Sequence, residues 1–487
     1  MSVPAQPSSR LPGLCFVAVI GLAAWVRFLY LDNRPLDHAE GSHWFFFIDA
    51  IRRGEPLNHH SGVTGTAGVT AWYLSALPLP VLGDSVFALR FMGALAGVAA
   101  AATLWLWRQV LGEVALLVAT LLLALSPALV YGSRQVSQYP YLVLALLLCV
   151  TCAVRFVRTL RPGWLYAAAA GWAVALTVHA LSLVLLAVLA VAAVCAHLSV
   201  RRDPDHAAAV ARVRAALRPR RISAAILVAA AVVVGMTALA TGLDGVADAL
   251  TALPAQLDEF VLAGQRQPPW RSLTTLGPIE LPAFVALVVA PALLRRRFLP
   301  LFVTAWAWLS AIALSALPDE SPGVFTVALA PMYLLAGLCV RDAWTRWSGR
   351  LSHVGLGLGL IGVAVLSTYH TVTLTHERPI ASDNPLNHAG PTADFERLLA
   401  ELDELPAGAM VVLAGERHWP LPYYLRRHEL VYAPLGAVVD PGDCPGCAAF
   451  IADPGQIAGG ESEALIRTRY RVREGVVIEL ARRPRLR

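Results

Sequence analysis

The chain has 487 residues, of which 57% are hydrophobic and 15% charged, with a mean hydropathy of +0.60. That balance excludes an ordinary soluble globular protein and points to an integral membrane protein. No lysine is present, so the net charge of +6 is all arginine against acid; its placement speaks to topology rather than to nucleic-acid binding.

Apolar stretches recur from Leu11 to Leu374, about eleven of them, each near the ~20 residues that span hydrocarbon. Their cores are 12–31, 87–107, 114–132, 140–157, 164–178, 180–198, 223–243, 279–294, 299–317, 323–340 and 354–374. The opening MSVPAQPSSR and the long apolar run after it carry no small-residue cleavage site before Arg27 and Asp32, so the first stretch is expected to stay as a helix. Residues 69–83 contain Pro78 and Pro80 and are short for a crossing, which lays them along the surface. His179 separates two stretches at a turn.

Arg10, Arg108, Arg155, Arg158, Arg161, the 201–221 segment, Arg295 to Arg297, Arg341, Arg346 and Arg350 all fall on one side of these spans. The positive-inside rule makes that side the cytoplasm. The N-terminus is then inside, and an odd number of spans puts the C-terminal part outside with residues 33–55. The basic run at 201–221 is a topogenic signal with the pattern of a helix lying on anionic lipid.

Residues 33–55, NRPLDHAEGSHWFFFIDAIRRGE, are too charged to cross hydrocarbon and too aromatic for a plain solvated loop. With a helix starting after Pro35, Asp37 is a natural N-cap and Glu40 falls at N3, the pattern of a capping box. The functional alternative sets Glu40 and His43 on one helical face above the spans. There a carboxylate, Glu40 or Asp37, can act as general base or, with His38 and His43, hold a divalent metal. His59 and His60 follow in a Gly-rich stretch, as candidates for metal or substrate or as surface loop. Arg134 lies at the external end of the third span, where an arginine pairs with an acid or a phosphate. Arg27 near the end of the first span invites the same reading, with snorkelling as the alternative.

Composition changes after Thr375. PTADFERLLAELDEL has helical periodicity, while MVVLAG, LVYAP, AAFIADP and VVIELAR read as strands; LPYYLRRH and ESEALIRTRY read as short helices. The chain thus divides into 1–375, a transmembrane domain with a long first external loop at 32–86, and 376–487, an extracytoplasmic α/β domain. Cys444 and Cys447 form CPGC, read as a structural disulfide in an oxidising compartment, with a redox motif as the alternative. Zinc lacks a second CxxC. The other five cysteines lie in spans as small apolar packers.

Three fragments carry a resemblance: RFLYLDNRPLDHAEGSHWFF, AWYLSALPLPVLGDSVFALRFMGALAGVAAAATLWLWRQVLG and ALLVATLLLALSPALVYGSR. They resemble the polyprenol-dependent membrane glycosyltransferases of the GT-C superfold, which include the bacterial aminoarabinose transferase and the protein O-mannosyltransferases. NPLNHAGPTADFERLLAEL and WPLPYYLRR (419–427) extend the similarity, over nearly the whole chain, to a glycosyltransferase-like family labelled flippase-activity-associated. The resemblance implies a bacterial inner-membrane enzyme that moves a sugar from a polyprenyl-phosphate-linked donor to a lipid, glycan or protein acceptor at the external face. It implies a catalytic acid in the first external loop and arginines on the donor phosphate, the parts assigned to Glu40 or Asp37 and to Arg134 and Arg27. The family's consecutive Asp-Glu falls on Ala39-Glu40, and the second external loop reads Gln135 to Tyr139 where relatives carry an acid. These departures give a second reading, a silent relative that binds a lipid-linked saccharide or scaffolds an envelope assembly. A transporter or flippase is a third, opposed by the scarcity of charge within the spans.

Overall fold

The computed structural model describes residues 11–49, 69–236, 268, 270–294, 297–317, 322–347, 349–387, 390–415, 418–434, 436–458, 465–473 and 476–483. Each of the eleven apolar stretches is helical where described, because a chain in hydrocarbon must satisfy its backbone within the segment. Among the described residues seven helices are long and apolar enough to cross a membrane: Leu11–Phe28, Val86–Leu111, Tyr139–Thr159, Leu181–Val200, Phe298–Ser315, Gly323–Arg346 and Arg350–Glu377. The pair Glu113–Leu125 and Pro127–Ser133, bent by 56°, makes an eighth. The other three expected crossings are shorter helices, Pro162–Val178, Arg221–Met236 and Leu281–Leu293; the last part of 223–243 lies outside the described residues.

Close approach of these helices relies on small residues, as expected where lipid removes the hydrophobic drive for helix pairing. A Cβ on Gly337 would stand 2.4 Å from the Ala115 carbonyl oxygen, so the Gly323–Arg346 helix meets the Glu113–Leu125 helix through bare backbone. The turn at His179 is also built locally. Its backbone is extended (φ −162°, ψ 137°), and Nδ1 accepts from the Leu181 amide at 2.9 Å, capping the helix that follows. The basic segment forms the helix Pro204–Leu217, which has no buried residue.

The chain divides into two compact units, Met1–Leu31 with Thr64–Glu377, and Asp32–Val63 with Arg378–Arg487. The start of the first loop, assigned from sequence to the membrane domain, therefore groups with the C-terminal residues.

The second unit holds a five-stranded sheet of β1 (Met410–Leu413), β2 (Glu429–Tyr432), β3 (Cys447–Ala452), β4 (Ile466–Arg473) and β5 (Val476–Arg482), in the order β2-β1-β3-β5-β4. β1 pairs in parallel with β2 and β3; β5 is antiparallel to β3 and β4. The helix Ala393–Asp403 lays Phe395, Leu398 and Leu402 on one face, against Val411, Leu413, Ile451 and Leu480. Phe395 is 1% exposed, and burying such a side chain stabilises by roughly 1.5–3 kcal/mol. β4 corrects the reading of ESEALIRTRY as a helix. From Ile466 onward Tyr470 and Val472 alternate inward against arginines turned outward, a period of two that belongs to a strand.

Candidate functional site

The first-loop residues fold on themselves before they meet anything else. Asp37, extended at φ −82° and ψ 179°, caps the helix His38–His43. Its Oδ1 accepts from the Glu40 amide at 2.8 Å, and Glu40 Oε2 accepts from the Asp37 amide at 2.9 Å. This is the reciprocal capping box. Arg34 Nη2 also donates to Glu40 Oε2 at 3.0 Å and lies 3.8 Å from Asp37 Oδ2. Side-chain exposure separates the acids: Glu40 is sealed at 1%, whereas Asp37 keeps 19%.

Both histidines of this helix are neutral at ordinary pH. Burial pushes His43 down to about 3, opposed only by the charge of Glu40. Burial, then Arg473 and His418, push His38 down to about 4. His59 and His60 lie outside the described residues. Among the described residues no three His, Cys, Asp or Glu side chains are grouped to hold a metal ion. Glu40 is already turned to Arg34 and to the Asp37 amide, so the metal set drawn from this helix does not fit.

Within the same unit, the helix is received by the segment WPLPYYLRR, through which the resemblance extends into the C-terminal part. A Cβ on Gly41 would meet Pro420 Cβ at 2.1 Å, so only glycine permits the approach. Trp44 packs edge-on to Tyr423 with ring centroids 5.1 Å apart, and the Leu36 amide donates to the Tyr424 hydroxyl at 2.7 Å. The phrase WPLPYYLRR is thus a seat for the helix His38–His43.

The two arginines assigned to the donor phosphate serve the membrane unit's own backbone. Arg134 Nη1 donates to the carbonyls of Arg27 and Leu29 at 3.1 and 2.6 Å, and Nη2 to that of Tyr30 at 2.5 Å. It closes the orphan carbonyls at the end of the first helix, helped by Arg90 on Leu31 and His376 on Val26. Arg27 is fully buried and donates to Ala124 and Leu123 at 2.9 and 3.2 Å. Those carbonyls are free because the helix breaks at Ser126–Pro127. Proline has no amide for Leu123, the Ala128 amide donates to Glu280 Oε1 at 2.8 Å, and the Leu129 amide goes to Ser126 Oγ. Thr371 Oγ1 takes the Leu125 carbonyl at 2.7 Å. Glu280 also accepts from Ser126 Oγ at 2.7 Å and from the Tyr333 hydroxyl.

Sequence reading missed Arg34, Arg90 and Glu280. Each had a signal: a cation three residues before a capping acid, an arginine inside a span, and a lone acid at the head of one. Cys444 and Cys447 are disulfide-bonded, with Cα atoms 5.4 Å apart.

Residues 67–216 match the family model described as dolichyl-phosphate-mannose-protein mannosyltransferase. No curated protein sequence matches the chain. Among solved structures it is similar to ArnT from Cupriavidus metallidurans bound to undecaprenyl phosphate, with a TM-score of 0.66 and 15% identity over 97% of this chain and 98% of that one. It is also similar to the archaeal oligosaccharyltransferase AglB from Archaeoglobus fulgidus, in complex with an inhibitory peptide and a dolichol-phosphate. There the TM-score is 0.53 and the identity 12%, over 91% of this chain and 69% of that one. The chain therefore has the fold of these structures, in a multi-pass membrane protein with a small C-terminal sheet.

Proposed function

We propose that this protein is a glycosyltransferase that moves a sugar from a polyprenyl-phosphate-linked donor to an acceptor hydroxyl at the external membrane face, with Asp37 as the base. The N-terminus is cytoplasmic and the C-terminal unit extracytoplasmic in this reading, as the arginine distribution supports. The observation that carries the assignment is the unequal exposure of the two loop acids. Glu40 is held by Arg34 and the Asp37 amide, whereas Asp37 retains an accessible carboxylate at a fixed helix start.

The chemistry asks little of the protein. Asp37 takes the acceptor proton, the acceptor oxygen bonds to the anomeric carbon, and the bond from that carbon to the carrier phosphate breaks. The phosphate leaves with the electron pair as a good leaving group, so placement and one base suffice. Glu40 and Arg34 are positioning residues.

The test is lipid analysis of a deletion strain complemented with variants expressed at the wild-type level. Asp37→Asn should fail to complement, and polyprenyl-phosphate sugar should accumulate. Full complementation by Asp37→Asn, alone or combined with Glu40→Gln, would overturn the reading.

A second reading, a silent relative that binds a lipid-linked saccharide, is favoured by one feature: the capping box accounts for both acids without any chemistry. It expects the acid variants to complement and Gly41→Ala, which unseats the loop from Pro420, to fail.

A further inference from the structure

The parallel strands β2, β1 and β3 end on one edge of the sheet, where Leu413 pairs with both Tyr432 and Ile451. The residues just past that edge converge. Gly415 has φ +84°, and a Cβ there would stand 2.8 Å from Asp453 Oδ2 and 3.1 Å from Gln456 Oε1, so both side chains lie against its backbone. His418 turns back onto the same glycine, with Nδ1 2.8 Å from the Gly415 oxygen. A carbonyl only accepts, so Nδ1 carries the proton and the neutral ring presents Nε2 as a lone pair. Burial, the main influence on His418, favours that neutral form.

Three buried side-chain atoms here have no hydrogen-bond partner in the protein: His418 Nε2, Asp453 Oδ1 and Gln456 Oε1. Native structures keep few such atoms, and three at the mouth of one strand edge ask for a ligand that brings donors. The ring of Tyr432, at the end of β2, stands 5.9 Å from that of His418 and the residue is 45% exposed. Acceptors grouped beside an accessible aromatic face suit a sugar, which offers hydroxyl donors around an apolar ring face. A bound cation is disfavoured, since no three His, Cys, Asp or Glu are grouped for one among the described residues.

We propose that this edge is a saccharide-binding site, with His418, Asp453 and Gln456 accepting from sugar hydroxyls beside the Tyr432 ring. The site stands on the C-terminal sheet alone and does not depend on the transferase reading. Its occupant is a neutral sugar residue of a glycan.

The experiment is saturation-transfer NMR on the full-length protein in lipid nanodiscs. The probes are mannose, galactose, arabinose, N-acetylglucosamine, mannotriose and maltotriose, with a parallel titration of Mn²⁺. At least one sugar should receive saturation, and Asp453→Ala and Tyr432→Ala should each weaken its binding about tenfold, as loss of a hydrogen bond to a charged group or of a stacking face does. Glu429→Gln, exposed at the opposite end of β2, should bind as wild type. Thermal melting checks that each variant is folded, and the surface change Tyr432→Ala keeps the test decisive if Asp453→Ala unfolds. The proposal is overturned if no sugar receives saturation, if both variants bind sugar like wild type, or if Mn²⁺ alone binds and is lost in Asp453→Ala.

Discussion

Arg27 and Glu280 hold opposite sides of one helix break: Arg27 donates to the Ala124 carbonyl at 2.9 Å, and Glu280 accepts from the Ala128 amide at 2.8 Å. Those are the two halves of the hydrogen bond that an unbroken helix would have made between them. The break at Pro127 is therefore satisfied by two buried side chains, a guanidinium and a carboxyl group.

Removing either residue should destabilise the membrane unit. Arg27→Met strands two buried carbonyls, and Glu280→Leu strands the Ala128 amide and the Tyr333 hydroxyl. Each change is expected to cost about 2–5 kcal/mol, at roughly 1–3 kcal/mol for each buried neutral group left unsatisfied. Because both act on one break, the double variant should cost less than the sum. Tryptophan fluorescence during denaturation in detergent micelles reads this, and strict additivity would show that the two residues act independently.

Glu40 and Asp37 should separate by measurement. Glu40→Gln takes from Arg34, itself only 4% exposed, the nearer of its two carboxylates, and should lower stability by about 3 kcal/mol. Asp37→Asn keeps an oxygen for the Glu40 amide and should cost under about 1 kcal/mol while abolishing transfer. Equal losses of stability in the two variants would contradict the division of labour between them.

Much of this was legible in the sequence for definite reasons. Hydrocarbon imposes a length and an apolar composition on each span, so the eleven stretches could be read as helices one by one. Asp37 and Glu40 announced a capping box because their spacing is local. What could not be read depends on distant partners. Nothing near Pro127 shows that Glu280 and Arg27 will complete its break, and nothing near Gly41 shows that Pro420 will press on it. The carbonyl partners of Arg27 and Arg134 could not be read because free helix carbonyls take a guanidinium as readily as a phosphate does. β4 was misread because the residues just before it, ESEAL, favour a helix in composition, whereas the alternation with arginine begins only at Ile466.

The seating of the first loop should be sensitive to a single methyl group. At Gly41 the neighbours are ring and backbone atoms of Pro420, at 2.1 and 2.6 Å from an added Cβ, and neither can swing away. Gly41→Ala is expected to separate the helix His38–His43 from residues 420–424. Amide hydrogen exchange should then rise across residues 36–44 while the membrane helices keep their protection. Tyr424→Phe removes only the bond to the Leu36 amide and should cost about 1 kcal/mol. If exchange in Gly41→Ala matches wild type, the close approach is not what holds the loop.

Acid should loosen this unit before carboxylate protonation alone would. His38 and His43 titrate at about 4 and about 3 in the folded protein, against roughly 6.5 when unfolded. A folded value below the unfolded one means that the unfolded state binds protons first as pH falls. The stability these neutral rings contribute is thus complete above about 6.5 and is lost as pH falls through that value toward about 4 and then about 3. Each ring adds a slope of up to about 1.4 kcal/mol per pH unit. His43→Phe should flatten the melting profile of the unit between pH 6.5 and 4 relative to its value at pH 7.5. An unchanged profile would show that His43 is not held neutral by burial.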